Sequence, residues 1–390
     1  MFEEAAAYPD GRGLTRWAWI EIDTEALRHN VRQIRKLVGP KVELMAVVKA
    51  DAYGHGAEQV AKIAIEEGAD RLAIATVDEG VKLREQGITV PILLLCEPPI
   101  TSAPTLVEHD ITPTIDTAAF AIAYGDAADA RGKVGPFHLG INTGMNRIGL
   151  LPEDAIDFLH SIDFHRGIKL SGVFTHFATA DEADDWDFRR QLHRFNECID
   201  AMRAAGIDPG TVHAANSAAI IRYPEARFDM VRLGICLYGM HPSPVTHGLV
   251  DLKPAMSVKA RVVFEKTPRV GEGVSYGLHY RTPGGKQIVT LPLGYADGMR
   301  RELSGRCQVL INGRRWDQVG AICMDQMMVE VSPSISPVRP VAPVEVGDEC
   351  VIIGRQGAEE ITLDEQAELL GTINYELAVG FGLRLRRFYV

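Results

Sequence analysis

Lys49 closes the apolar run Ala46-Val47-Val48 and is followed at once by Ala50-Asp51-Ala52-Tyr53-Gly54-His55-Gly56. In water a lysine is protonated and inert as a nucleophile. At the rim between a packed sheet and a concave site, desolvation lowers its pKa and frees an amine that can form an imine. The chain then turns sharply, offers a phenol and an imidazole, and enters a helical pattern from Glu58 to Glu67. His176, His213 and Arg232 end three further apolar runs, and Arg147 lies in the loop after a fourth. A lone histidine at a strand end is most often a satisfied rim residue. Together with Lys49 these side chains outline one cleft.

Two turns in the same stretch suit an anion. His213-Ala214-Ala215-Asn216-Ser217 leads from a strand into a short helical segment, presenting the Ser217 hydroxyl and unpaired backbone N–H groups. Arg232-Leu233-Gly234-Ile235 supplies a second small-residue turn after the last strand of the series. Asn-Ser before a helix is by itself an ordinary N-cap. Two such turns at adjacent strand ends make a phosphate cradle the better reading, with no P-loop or GxGxxG fingerprint competing.

The elements that must carry these residues alternate between short β-branched runs and amphipathic helical stretches from Trp17 to about Met240. Strands are expected to begin near Glu43, Arg71, Pro91, Thr112, Gly135, Ile168, Thr211 and Asp229. Helices are expected at Ala57 to Glu67, Asp78 to Gln86, Thr117 to Ala130, Pro152 to Ile162 and Asp187 to Ala205. The pattern predicts an α/β fold, a closed (β/α)8 TIM barrel with its chemistry at the carboxyl ends of the strands. An open doubly wound sheet is the alternative, because periodicity does not distinguish closure from openness. After Met240, His241-Pro242-Ser243-Pro244 reads as a hinge. Beyond it, alternating segments at Ser257 to Glu265, Gln287 to Leu293, Cys307 to Ile311, Met327 to Val331 and Glu349 to Ile353 predict a mainly β C-terminal domain. Only Leu363 to Leu370 reads as helical there, and Ser332 to Pro343 as a proline-spaced loop. The expected division is a mobile tail over 1–15, a barrel over 16–241 and a β domain over 242–390.

Composition excludes several classes. The net charge of −11 gives no bulk attraction for nucleic acid or an anionic membrane. Six cysteines lie far apart without a CxxC pair, which argues against a zinc site or other metal centre and against a disulfide scaffold, and suits a reducing cytoplasm. No apolar run approaches the roughly 20 residues of a membrane span, and the first residues lack a signal-peptide pattern.

The Lys49 segment resembles the cofactor-lysine motif of the alanine racemases, and the likeness extends from Trp19-Ile20-Glu21-Ile22-Asp23 to Asn374-Tyr375-Glu376. Family-specific motifs along the way are Gly172-Val173-Phe174-Thr175-His176-Phe177, Gly273-Val274-Ser275-Tyr276-Gly277, Leu293-Gly294-Tyr295-Ala296-Asp297-Gly298 and Cys323-Met324-Asp325-Gln326. The resemblance implies a pyridoxal 5'-phosphate enzyme that interconverts L- and D-alanine with two bases, Lys49, which bears the cofactor, and Tyr276 opposite. It further implies that Tyr53, Asn216, Ser217, Gly234, Ile235 and Tyr375 surround the phosphate. His176 would lie against the ring, and Arg232 would meet the pyridine nitrogen with His213 behind it. Arg147 would contact the ring hydroxyl of the cofactor and, with the Met324 N–H, the substrate carboxylate, with Tyr295, Cys323 and Asp325 around the substrate. A homodimer is implied, in which Tyr276 and Met324 complete the partner chain's site; the flanking glycines, Gly273 and Gly277, point to a turn that presents the Tyr276 ring. Both bases have reference pKa values of about 10, so each must be brought down, by desolvation for Lys49 and by neighbouring cations for Tyr276.

Two positions depart from the family pattern. Relatives commonly carry a lysine that becomes carbamylated where this chain reads His138-Leu139-Gly140-Ile141-Asn142, so Arg147 needs another partner, for which Asn142, a chloride or water is expected. An arginine usual in the substrate corridor is replaced by Ala321, which leaves its expected partner Asp181 freer and predicts relaxed selectivity toward substrates such as serine. Other readings are a broader amino-acid racemase, a fold-type III decarboxylase and a non-catalytic cofactor-binding barrel. The decarboxylase needs a glycine-triplet phosphate loop and a late catalytic cysteine, neither of which is evident.

Overall fold

The computed structural model describes residues 15–331 and 343–390. The expected tail over 1–15 and the loop from Ser332 to Pro343 therefore lie almost wholly outside the described residues. The chain divides into two compact units, Thr24–Ala255 and a second that joins residues before Thr24 to Met256–Val390.

In the first unit, eight parallel strands close on themselves: Glu43–Val47, Arg71–Ile74, Ile92–Leu94, Ile111–Ile115, Gly135–Gly140, Ile168–Phe174, Thr211–His213 and Met230–Leu233. Closure is made where Glu43–Ala46 pairs in register with Met230–Leu233. Each strand begins within a residue of its expected start, and the open-sheet alternative is excluded. Met45, Val47, Ala73, Leu93 and Met230 pack together as a buried cluster, with Tyr53 resting on it. Helix starts are fixed locally. Thr76 and Glu79 form a capping box ahead of Val77–Glu85, and Thr117 caps Ala118–Asp129, each cap stabilising by about 1 kcal/mol.

The unit ends later than the proline hinge predicts. Buried Asn30, on helix Thr24–Val38, donates to the carbonyls of Leu237 and Lys253 at 3.1 and 2.9 Å and accepts from the Lys253 N–H at 2.8 Å. That amide ties the segment after Pro244 back onto the barrel, so the division falls at Ala255 and not at His241.

Among the described residues the second unit holds a ten-stranded sheet and a separate two-stranded one, Gly273–Val274 with Tyr280–Arg281. Its core strand Met256–Arg261 alternates buried and half-buried residues, as a half-covered strand must. Ala18–Ile22 lies between Met256–Arg261, antiparallel, and Arg386–Tyr389, parallel. Residues 16–23, expected to belong with the barrel, thus belong to the β unit, because their pairing partners lie hundreds of residues away. The strands Arg314–Val319 and Arg386–Tyr389 and the helix Asn374–Gly380 were not anticipated. Arginine-rich composition hides the two strands, and seven residues are too few for helical periodicity to register.

Candidate active site

The chemistry of the barrel unit gathers at the carboxyl ends of its strands. Lys49 follows the first strand and is half-buried. Burial lowers its pKa, and the positive charge of Arg147 lowers it further. The chain after it takes an unusual course: Ala50, Asp51, Ala52 and Tyr53 are all left-handed, with φ of 53, 50, 54 and 51°. Such a run costs about 1–2 kcal/mol per residue and persists only when its surroundings impose it. Here Glu79 accepts from the Ala50 N–H at 2.6 Å, and Asp51 accepts from the Ala57 N–H at 2.9 Å.

This turn swings Tyr53 inward. Its ring packs on Tyr238 at 4.9 Å, and Tyr238 donates to the Val47 carbonyl at 2.8 Å. Burial pushes the Tyr53 phenol up to about 12, which keeps it a hydrogen-bond donor at neutral pH. Opposite it, the Ser217 hydroxyl accepts from the N–H of Gly234 at 3.0 Å and of Cys236 at 3.4 Å. A Cβ at Gly234 would sit 3.3 Å from Tyr53 Oη and 3.5 Å from Ser217 Oγ. Phenol, hydroxyl and the turn through Gly234 and Ile235 thus face a common space that only a glycine leaves open, and this donor set fits a phosphate. Asn216 contributes differently. Its side chain caps helix Ser217–Arg222 by accepting from the Ala219 N–H and donates to the Phe177 carbonyl, so it braces the turn that carries Ser217.

Arg232 is buried, and both its Nη atoms are bonded. Its guanidinium donates to His213 Nδ1 at 3.0 Å, to His176 Nδ1 at 2.9 Å, and to the carbonyls of Thr175 and Ala214 at 2.9 and 3.0 Å. An arginine only donates, so both Nδ1 atoms accept and each ring carries its proton on Nε2. His213 Nε2 then donates to His138 Nδ1 at 2.9 Å. The relay runs Arg232, His213, His138, and its rings stay neutral: burial pulls His138 down to about 3 and holds His213 and His176 well below their ordinary value. Burial brings Arg232 down to about 9, which leaves it charged at neutral pH. His138 was not anticipated as part of the site. Its place depends on register: His138 pairs with Gly172, and a Cβ at 172 would lie 2.6 Å from the imidazole.

Arg147 is exposed, in a loop that Asn142 folds by accepting from the N–H groups of Gly144 and Asn146 and donating to the Asn146 side chain. The Asn142 amide is therefore turned to its own loop and makes no bond to the Arg147 guanidinium among the described residues. The Asp181 carbonyl accepts from Ser243 at 2.6 Å.

In the β unit, Tyr276, Cys323, Met324 and Asp325 line one cleft. Tyr276 is 73% exposed, carried by a turn in which Ser275 and Gly277 have φ of 65 and 75°. Ser275 Oγ donates to the Ala321 carbonyl at 2.5 Å and lies 3.3 Å from Cys323 Sγ. Tyr295, also exposed, donates its N–H to the Cys323 carbonyl. Arg384 holds the Asp325 carboxylate at 2.6 Å. Tyr375 is the second residue of helix Asn374–Gly380.

A closed barrel with a half-buried lysine and an anion cradle at one rim is the layout of a barrel enzyme whose chemistry lies at the strand ends. Comparison with known proteins narrows it. Residues 22–242 match the family "Alanine racemase, N-terminal domain" and residues 255–389 match "Alanine racemase, C-terminal domain". The alanine racemase of Carboxydothermus hydrogenoformans is 46% identical over 96% of this chain and 100% of its own length. A solved alanine racemase from Clostridium difficile superposes with a TM-score of 0.91 at 38% identity, covering 97% of this chain and 96% of that one. A histidine racemase from Leuconostoc mesenteroides superposes at 0.85 with 32% identity, covering 96% and 98%. The chain belongs to the alanine racemase family.

Proposed function

We propose that the protein is an isomerase that interconverts L- and D-alanine with pyridoxal 5'-phosphate, using Lys49 of one chain and Tyr276 of a second in a homodimer. The observation that carries this reading is the half-buried Lys49 at the end of its strand, followed by the turn that brings Tyr53 to the Ser217 and Gly234 cradle, in a chain of this family. Held at Lys49 until a substrate amine takes the lysine's place, the cofactor would disperse the charge left on Cα when its proton departs. The Lys49 amine so released, its pKa lowered by burial and by the Arg147 charge, would take that proton on one face, and the exposed Tyr276 phenol would return one on the other. Racemisation needs two such bases because a single fixed group reaches only one face. Tyr53, Ser217, Gly234, Ile235 and Tyr375 would hold the phosphate. Arg232, charged and locked by two histidines, would keep the pyridine nitrogen without a proton, since a guanidinium does not give one up. His176 would lie against the ring. Arg147 and the Met324 N–H grip the substrate carboxylate, with Tyr295, Cys323 and Asp325 at the substrate's approach.

The six cysteines are all free thiols, which suits a cytoplasmic protein. Ala321, small and bonded through its carbonyl to Ser275 beside Tyr276, favours admission of serine as well as alanine.

Incubating single enantiomers of alanine and serine in deuterated water tests the reading. Loss of optical rotation with one deuterium taken up at Cα is expected, together with a visible absorbance band that borohydride removes. Optical rotation that persists in the presence of added cofactor would reject the racemase, and strict preference for alanine would reject the wider substrate range.

A further inference from the structure

Asp116 follows the fourth barrel strand, Ile111–Ile115, and its Oδ1 is buried without a hydrogen-bond partner. Among the described residues no side chain donates to this carboxyl, and a carboxylate held away from water with only backbone N–H groups near it calls for an explanation. Its position is specific. A Cβ at Gly140, on the neighbouring strand, would lie 3.2 Å from that oxygen, so the missing side chain at 140 is what gives the carboxyl its room. Burial first and the Glu97 charge second push Asp116 up to about 7, while the N–H groups of Gly149 and Gly140 act the other way. Glu97 is itself occupied, accepting from the N–H groups of Asp116 and Thr117 and from the Thr117 hydroxyl.

The half-buried Cys96 thiol is raised by burial and by Asp116, and it is lowered by both Lys49 and Arg147. Acid, lysine and arginine thus all act on the same thiol. Lys49 is committed to the cofactor, which leaves Arg147. That residue sits two positions before Gly149, whose Cα lies 3.5 Å from the Cβ position of Gly140. Within the described residues Arg147 has no hydrogen bond or ion pair, and Asn142 folds its loop without engaging the guanidinium.

We propose that Asp116 is the positioning residue for Arg147: its carboxylate, standing in the space beside Gly140, draws the guanidinium to the inner wall, where it meets the substrate carboxylate. The inference rests on the racemase reading and deepens it. A charge-assisted bond of this kind sets where Arg147 points and leaves the proton transfers to Lys49 and Tyr276.

The test uses holoenzyme at pH 8.5, where the acid is ionised, and compares wild type with Asp116→Asn, Asp116→Ala and the double variant Asp116→Ala/Gly140→Asp. Asparagine keeps the shape without the charge, and the double variant restores a carboxylate from the adjacent strand. KM for L-alanine, and the calorimetric Kd of propionate, which cannot react, are each expected to rise about tenfold in both single variants. kcat should change by less than about threefold, and the double variant should recover most of the lost affinity. Labelling of Arg147 by phenylglyoxal in cofactor-free protein, followed by mass mapping, should run at least about threefold faster in Asp116→Asn than in wild type. An Asp116→Asn protein with wild-type KM, propionate affinity and labelling rate overturns the proposal. A wild type that does not racemise would instead reject the parent reading, and the labelling rates would still decide whether acid and guanidinium pair.

Discussion

His138 shows how a single side chain can set the behaviour of a site it does not enter. Its Nδ1 is the acceptor that fixes the His213 proton on Nε2, which in turn leaves His213 Nδ1 free to receive Arg232. The ring is also an acid-sensitive element. Its pKa is about 3 in the folded protein against an ordinary 6.5. Between those values the unfolded chain binds the extra proton, so the group destabilises the fold progressively as pH falls from about 6.5 toward 3 and costs nothing above that window. His176 and His213 carry the same sign. His138→Leu is expected to lower stability at pH 7 by about 1–3 kcal/mol, because the His213 Nε2–H loses its acceptor. The fall in melting temperature between pH 6.5 and 4 should be shallower than in wild type. Parallel curves for the two proteins across that range would show that the ring's titration does not drive acid unfolding.

At the scale of elements, the left-handed run from Ala50 to Tyr53 couples strand to site. It reverses the chain directly after Lys49, so that the phenol of Tyr53 faces the turn carrying Gly234. Ala50 is exposed within it, with φ 53° and ψ 51°. Ala50→Gly removes the Cβ penalty and adds chain entropy to the unfolded state, for a net gain of about 0.5–1 kcal/mol. Ala50→Val should lose about 1–2 kcal/mol. Thermal melts of the two variants check this, and a glycine variant no more stable than wild type would mean the turn carries no strain. Much of the architecture was legible in the sequence, since strand starts from Glu43 to Met230 follow from apolar runs and turn residues, and Lys49, Ser217 and Arg232 fall at strand ends that the pattern predicts. What was hidden depends on who pairs with whom. The Gly172 to His138 register, the return of Ala18–Ile22 to the β sheet and the carboxyl of Asp116 beside Gly140 each join residues far apart in the chain, and local periodicity carries no record of such partners. The hinge at Pro242 misled for the same reason, as Asn30 retains the segment up to Lys253.

For the whole molecule, the exposed Tyr276 poses the decisive question. An aromatic ring 73% exposed on a glycine-flanked turn, with half-exposed Met324 in the same cleft, leaves apolar surface in solvent. In a homodimer with shared sites, Lys49 and Tyr276 of one active centre come from different chains, and genetic complementation follows from that arrangement. Lys49→Ala and Tyr276→Phe, each prepared alone, leave every site with one base missing. Co-refolded or co-expressed in equal amounts, half of the dimers are mixed. One of the two sites in each mixed dimer then holds Lys49 from one parent and Tyr276 from the other, so about a quarter of all sites are native. The mixture is expected to regain about a quarter of wild-type racemase activity, where simple addition of the two parents gives nearly none. A mixture no more active than its parents, under conditions where mass spectrometry detects the mixed dimer, would place both bases in one chain and remove the shared site.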